Sequence, residues 1–117
     1  AEIAAWTTRN NLAGDVWRTD RAASRRMRQQ VLEAANAMLE RPRLTDPLKA
    51  EIYNLRAGAH AGLSQFDDAI ADFNRAIELQ PGTVVYYENR AFMHELAGNR
   101  SAAASDRRRV AELRGQP

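Results

Sequence analysis

No cysteine occurs anywhere in this chain. Disulfides, thiolate metal ligands and cysteine nucleophiles are thereby excluded, while reducing and oxidising compartments both stay open. Aromatic residues are scarce at 7%, so a core must be built mainly from aliphatic side chains, and much of the apolar content is alanine. Alanine suits tightly packed helices better than strands. No apolar run approaches the ~20 residues that a membrane-spanning helix needs. Lysine occurs once, at Lys49. No glycine-rich phosphate loop and no serine–histidine–acid grouping stands out, so no cofactor is expected. What remains is a hydrophobic fraction of 44% and a charge of +2, from 17 basic and 15 acidic residues in 117. That composition fits one small globular domain and argues against disorder of the whole chain. The small basic excess is weak support for nucleic acid as a partner. The chain begins at Ala1 and not at methionine, which reads as a processed protein or as a piece cut from a longer one.

In place of catalytic motifs the chain carries a repeat. Tyr53, Arg56, Ala57, His60, Ala69, Asp72, Arg75, Glu78 and Leu79 recur 34 positions later as Tyr87, Arg90, Ala91, His94, Ala103, Asp106, Arg109, Glu112 and Leu113. A period of this length with this pattern is the signature of a helix–turn–helix solenoid. Such folds work by presenting a binding surface, which points to partner binding and not to catalysis.

The element boundaries follow from caps and breakers. Ile3, Trp6, Asn10, Ala13 and Trp17 lie at helical spacing, and Gly14-Asp15 interrupts them. The spacing predicts a short helix over 3–12 and an irregular connection. Thr19 and Asp20 would then cap a helix reaching about Glu40, with Val31, Ala34, Ala35, Met38 and Leu39 as its apolar stripe. Arg18, Arg21, Arg25, Arg26 and Arg28 crowd the first half of that helix, where cations oppose the helix dipole. They read as a solvated face or as a docking surface for an acidic partner. Pro42 ends the helix. Thr45-Asp46-Pro47 starts the next, which runs to about Leu63. Further helices are expected over 67–79, 84–97 and 101–113, with Gly98-Asn99 turning between the last two.

Within the first unit the order is Tyr53-x2-Arg56-Ala57-x2-His60, then Ala69-x3-Phe73, Ala76 and Pro81. This resembles the tetratricopeptide repeat. Phe66 fits a commonly aromatic turn position of that family, and Arg56 stands where many bacterial repeats of the Tyr-Asn-x-Arg type have arginine. The second unit, Val84 to Leu113, is in register but weaker. The resemblance implies an all-α fold, an antiparallel helix-pair solenoid of about two full repeats plus N-terminal helices. It divides the chain into 1–46 (a degenerate earlier repeat), 47–82 (a repeat) and 83–117 (a repeat acting as C-terminal cap). Arg100 and Arg107 replace Phe66 and Phe73 in the second unit, making the outer face polar, as a terminal cap requires.

The resemblance also names the face that would bind. Inner-face positions of the family fall here on Glu51, Asn54, Leu55 and Gly58, and on Val85, Glu88, Asn89 and Phe92. Many chaperone-binding members hold a terminal carboxylate there with lysines, arginine and asparagines. Asn54 and Asn89 remain but the lysines do not, which argues against such a clamp. Leu55 and Phe92 with Glu51 and Glu88 suggest an apolar groove with an acidic rim. The bland alternative packs these residues against the N-terminal segment, including Trp6. His60 and His94 occupy core tyrosine positions and read as packing residues with one hydrogen bond each, not as metal ligands. Asp67 and Asp68 are explained by their place in a first helical turn. The expected role is a non-enzymatic adaptor or scaffold binding a protein or peptide segment. A homo-oligomerisation module, or a regulatory domain of a larger protein, are the competing readings. Small bacterial proteins of this type are often exported, so a periplasmic location is what the resemblance suggests.

Overall fold

The computed structural model describes residues 13–115, with side chains from residue 21 onward. Five helices follow one another: α1 (Ala13–Leu39), α2 (Asp46–Gly62), α3 (Phe66–Leu79), α4 (Val84–Leu96) and α5 (Arg100–Leu113). No strand occurs among the described residues. Each helix packs against the next in sequence, giving the antiparallel helix-pair solenoid that the period implies.

Local chemistry sets the helix ends. Thr45 is the N-cap of α2, its hydroxyl accepting from the Leu48 amide at 3.4 Å, and Pro47 sits in the first turn. The turn that closes each helix pair is built twice. The Gln65 amide donates to the His60 carbonyl at 2.8 Å, and the Asn99 amide to the His94 carbonyl at 2.7 Å. Both turns need one residue in the left-handed region, Ser64 at φ 61° and its repeat counterpart Gly98 at φ 85°. Glycine meets that demand without strain and serine does so at some cost.

Small residues let the layers close. Ala57, Ala69, Ala76, Ala91 and Ala103 are all at most 2% exposed. Phe73 fills the space that Ala57, Ala69 and Met93 leave between α2, α3 and α4, with Phe66 and Ile70 packed around it. A second cluster joins Ala50, Ala76 and Tyr86, bordered by Tyr53, Ile77 and Leu79. Tyr86 is the largest fully buried side chain among the described residues. Its hydroxyl donates to Glu51 Oε1 across the layer at 2.7 Å. Burial, reinforced by that hydrogen bond, pushes the Tyr86 hydroxyl well above its ordinary pKa, so it stays a donor.

Two matching ionic locks tie the helix pairs. Arg56 Nε and Nη2 donate to Asp72 Oδ2 and Oδ1 at 2.9 and 2.6 Å, and Nη1 to Asn36 Oδ1 at 2.9 Å. Arg90 makes the same three bonds, at the same distances, to Asp106 and Asn74. Each aspartate is buried, and the fork geometry satisfies both of its oxygens. The hydrogen bond to the aspartate raises each guanidinium further above its ordinary pKa. The repeat histidines border these locks, His60 Nε2 at 3.7 Å from Asp72 and His94 Nε2 at 3.9 Å from Asp106. His60 Nδ1 meets Gln65 Oε1 at 2.7 Å. His94 Nδ1 is buried without a partner, against the expectation of one hydrogen bond each. Its counterpart of Gln65 is Asn99, one methylene shorter.

Two expectations at the N-terminal end, the break at Gly14-Asp15 and the cap at Thr19-Asp20, need correction. The helix predicted over 3–12 and Trp6 lie outside the described residues, as does the Trp17 side chain. The predicted break at Gly14-Asp15 and the cap at Thr19-Asp20 do not form, because α1 already runs at Ala13 and continues for 27 residues. A glycine inside a helix costs about 1 kcal/mol relative to alanine, which lowers helix stability without ending the helix. Arg25, Arg26 and Arg28 therefore lie mid-helix, where the dipole argument against them has no force.

Candidate functional site

Residues three and four apart share one face of a helix. Asn54, Leu55 and Gly58 on α2 therefore look to the same side, as do Asn89 and Phe92 on α4. The structure brings these together in one open groove of about 470 Å³. Phe73 and Met93 form part of its floor, and Arg28 and Val31 of α1 stand along one wall. Leu55 and Phe92 are about half exposed, at 48% and 56%. They are large apolar side chains left in water while alanines fill the core. Asn89 Nδ2 donates to Asn54 Oδ1 at 3.3 Å, linking α4 to α2 across the groove. Gly58 borders open space in the groove, since a Cβ there would meet nothing within 4 Å.

The two acidic candidates do not line this groove, and the expected acidic rim is absent among the described residues. The Glu51 carboxylate accepts from the Tyr86 hydroxyl. Glu88 accepts from Arg114 Nη2 at 2.7 Å. Sequence spacing placed both on the right helices but could not show these hydrogen bonds. Val85 is exposed and is not part of the groove. Among the described residues Arg28 is the one charged side chain in the lining. Its membership was not legible from the repeat, because α1 follows no 34-residue register with the rest. Val31 had been readable only as part of an apolar stripe.

At the far end of the solenoid Arg100 and Arg107 are exposed. Arg107 Nη2 lies 2.6 Å from Glu95 Oε1, and that hydrogen bond holds the Glu95 carboxyl below its ordinary pKa. Among the described residues no group of three His, Cys, Asp or Glu is placed to hold a metal ion. No helix there is long and apolar enough to cross a membrane.

Residues 50–82, spanning most of α2 and all of α3, match the model of the tetratricopeptide repeat. Over these residues the chain carries a tetratricopeptide repeat. Its fold is similar to that of the MamA fragment 41-end from Desulfovibrio magneticus RS-1, with a TM-score of 0.55 and 28% identity. The match covers 56% of this chain and 37% of that one. An RS-1 MamA ArsTM double mutant is similar at 27% identity, with the same TM-score and coverage. The chain thus spans little more than a third of the length of these solved structures. No curated protein matches it. A tetratricopeptide repeat points to protein–protein interaction or scaffolding as the class of role.

Proposed function

We propose that this tetratricopeptide domain is a non-enzymatic adaptor that holds a segment of a partner protein in the groove between α1, α2 and α4. The observation that carries the proposal is the exposure of Leu55 and Phe92 on a groove with room for a bound chain. Isolated exposed apolar side chains are unremarkable, but two on one concave face beside an asparagine pair have the character of a binding site. The asparagines supply donors and acceptors for a backbone, and the apolar residues supply anchoring area.

A panel of immobilised peptides probed with the purified chain tests this reading. Phe92→Ala should weaken the best binders by about thirtyfold, the ~2 kcal/mol typical of a hot spot. Its thermal midpoint should barely move, because surface substitutions are usually worth less than about 0.5 kcal/mol. Gly58→Phe offers an independent arm, since it fills the groove at a helical position with open space around it. Retained binding in both variants would place the partner elsewhere. A second copy of the chain is the competing occupant. If light scattering shows dimers that Gly58→Phe converts to monomers, self-assembly replaces the adaptor reading.

We propose further that α4–α5 acts as the C-terminal cap, supported by the exposed Arg100 and Arg107 where the preceding repeat carries Phe66 and Phe73. Changing both arginines to phenylalanine should expose an apolar face and drive concentration-dependent association. A double variant that stays strictly monomeric in sedimentation would remove the cap assignment.

A further inference from the structure

We propose that the partner segment is acidic, seating apolar residues on Leu55 and Phe92 and laying its carboxylates along an arginine track formed by Arg21, Arg25 and Arg28 of α1. The inference rests on the groove being the binding site and adds the chemistry of its ligand. Two concavities meet at one residue. Arg28 lines the apolar groove and also a second hollow of about 470 Å³, shared with Arg21, Arg25 and the end of α2 at Gly62–Ser64. A chain leaving the groove past Arg28 passes next onto Arg25 and Arg21.

The spacing of the three arginines, with gaps of four and three residues, places them on one helical face. Like charges so spaced weaken a helix, so the stripe is not explained by helix stability. Among the described residues no acidic side chain lines either hollow. Among the described residues Arg21, Arg25 and Arg28 form no ion pair, a property they share with Arg26, Arg41, Arg43, Arg100 and Arg108; what sets them apart is that they line one continuous hollow. Arg28 has a structural role as well. Its guanidinium lies against Gly62 where any Cβ would collide with it, at the C-terminal end of α2, which favours a cation. That accounts for Arg28 but not for Arg21 or Arg25. Nucleic acid is a poorer fit, because among the described residues no aromatic side chain lines the arginine hollow to stack a base. The charge therefore complements an acidic peptide, and it reverses the preference that an acidic rim would have given.

Fluorescence anisotropy on the full chain tests this with three labelled probes: a decapeptide alternating glutamate with leucine and phenylalanine, its lysine counterpart, and a single-stranded DNA decamer. The acidic peptide should bind tightest, and its affinity should fall as salt shortens the Debye length from about 10 Å at 0.1 M toward about 3 Å at 1 M. Reversing Arg21 and Arg25 together to glutamate should weaken it by about tenfold or more and make the lysine peptide the better ligand, with the helical circular dichroism signal unchanged. Gly62→Ala, which displaces the Arg28 guanidinium without altering charge, should weaken the acidic peptide several-fold. If Phe92→Ala abolishes binding while the arginine reversal leaves the acidic peptide's Kd unchanged, the groove stands and the acidic preference is wrong. Tighter binding of the DNA decamer overturns the inference. Failure of both peptides to bind at millimolar concentration overturns the groove reading and the inference with it.

Discussion

Phe73→Ala should lower stability by about 3–5 kcal/mol. For a domain of this size that is a drop in thermal midpoint on the order of 15 °C or more. Phe73 is 2% exposed, and its buried neighbours in the cluster are Ala57, Ala69 and Met93. Alanine side chains cannot rotate into a vacated space, so the cavity collapses poorly and the cost lies at the high end for a core deletion. The same side chain forms part of the groove floor, so peptide binding should fall together with stability. Phe92→Ala is the internal control. It removes the same ring from the same groove, from a site 56% exposed, and should affect binding alone. A Phe73→Ala chain that melts within a few degrees of the parent would mean that the layer between α2, α3 and α4 is not the core.

The fold was legible because the period states it. A helix pair cannot bury its own apolar face, so small residues and an aromatic must recur at one spacing, and Tyr53, Ala57 and Ala69 do so as Tyr87, Ala91 and Ala103. The α1 layer was harder to see for a physical reason. Asn36 accepts from Arg56 as Asn74 accepts from Arg90, which puts α1 in the position that α3 holds one layer later. Yet Asn36 and Arg56 are twenty residues apart, against sixteen for Asn74 and Arg90. The four extra residues take α1 out of the 34-residue register while the spatial pattern is kept. Sequence periodicity detects only the register.

The candidate site was legible in part. The family resemblance named Asn54, Leu55, Asn89 and Phe92 as inner-face positions, and the structure gathers them in one groove. Spacing could not say what the glutamates bond to. Glu51 is taken by Tyr86, whose importance was hidden beside Tyr87, the residue that carries the repeat match. Ile52 is the counterpart of Tyr86, so a conservative reading of the repeat passes over the one position where a hydroxyl crosses the layer. Nor could spacing supply Arg28, since charge on α1 acquires its meaning from proximity to α2.

Asp72→Ala should cost about 3 kcal/mol, read as a lower urea midpoint with little change in slope. The estimate sits at the low end of the range for breaking a buried ion pair, because the Arg56 side chain is 25% exposed and water can partly replace the lost carboxylate. Arg56 also reaches Asn36, so losing Asp72 should loosen α1 from α2, and amide exchange in the second half of α1 should quicken. Asp106→Ala breaks a lock of the same dimensions but in the last described layer. In a solenoid, stability is approximately a sum over neighbouring layers. The Asp106 variant should therefore open α5 first, with exchange rising there while α2 and α3 stay protected. Replacing Arg56 and Asp72 together by methionine and leucine should recover much of the loss, since no buried charge is left unpaired. If Asp72→Ala and Asp106→Ala both lie within about 0.5 kcal/mol of the parent, the arginine–aspartate pairs are surface contacts in effect, and the stacking of layers rests on alanine and aromatic packing alone.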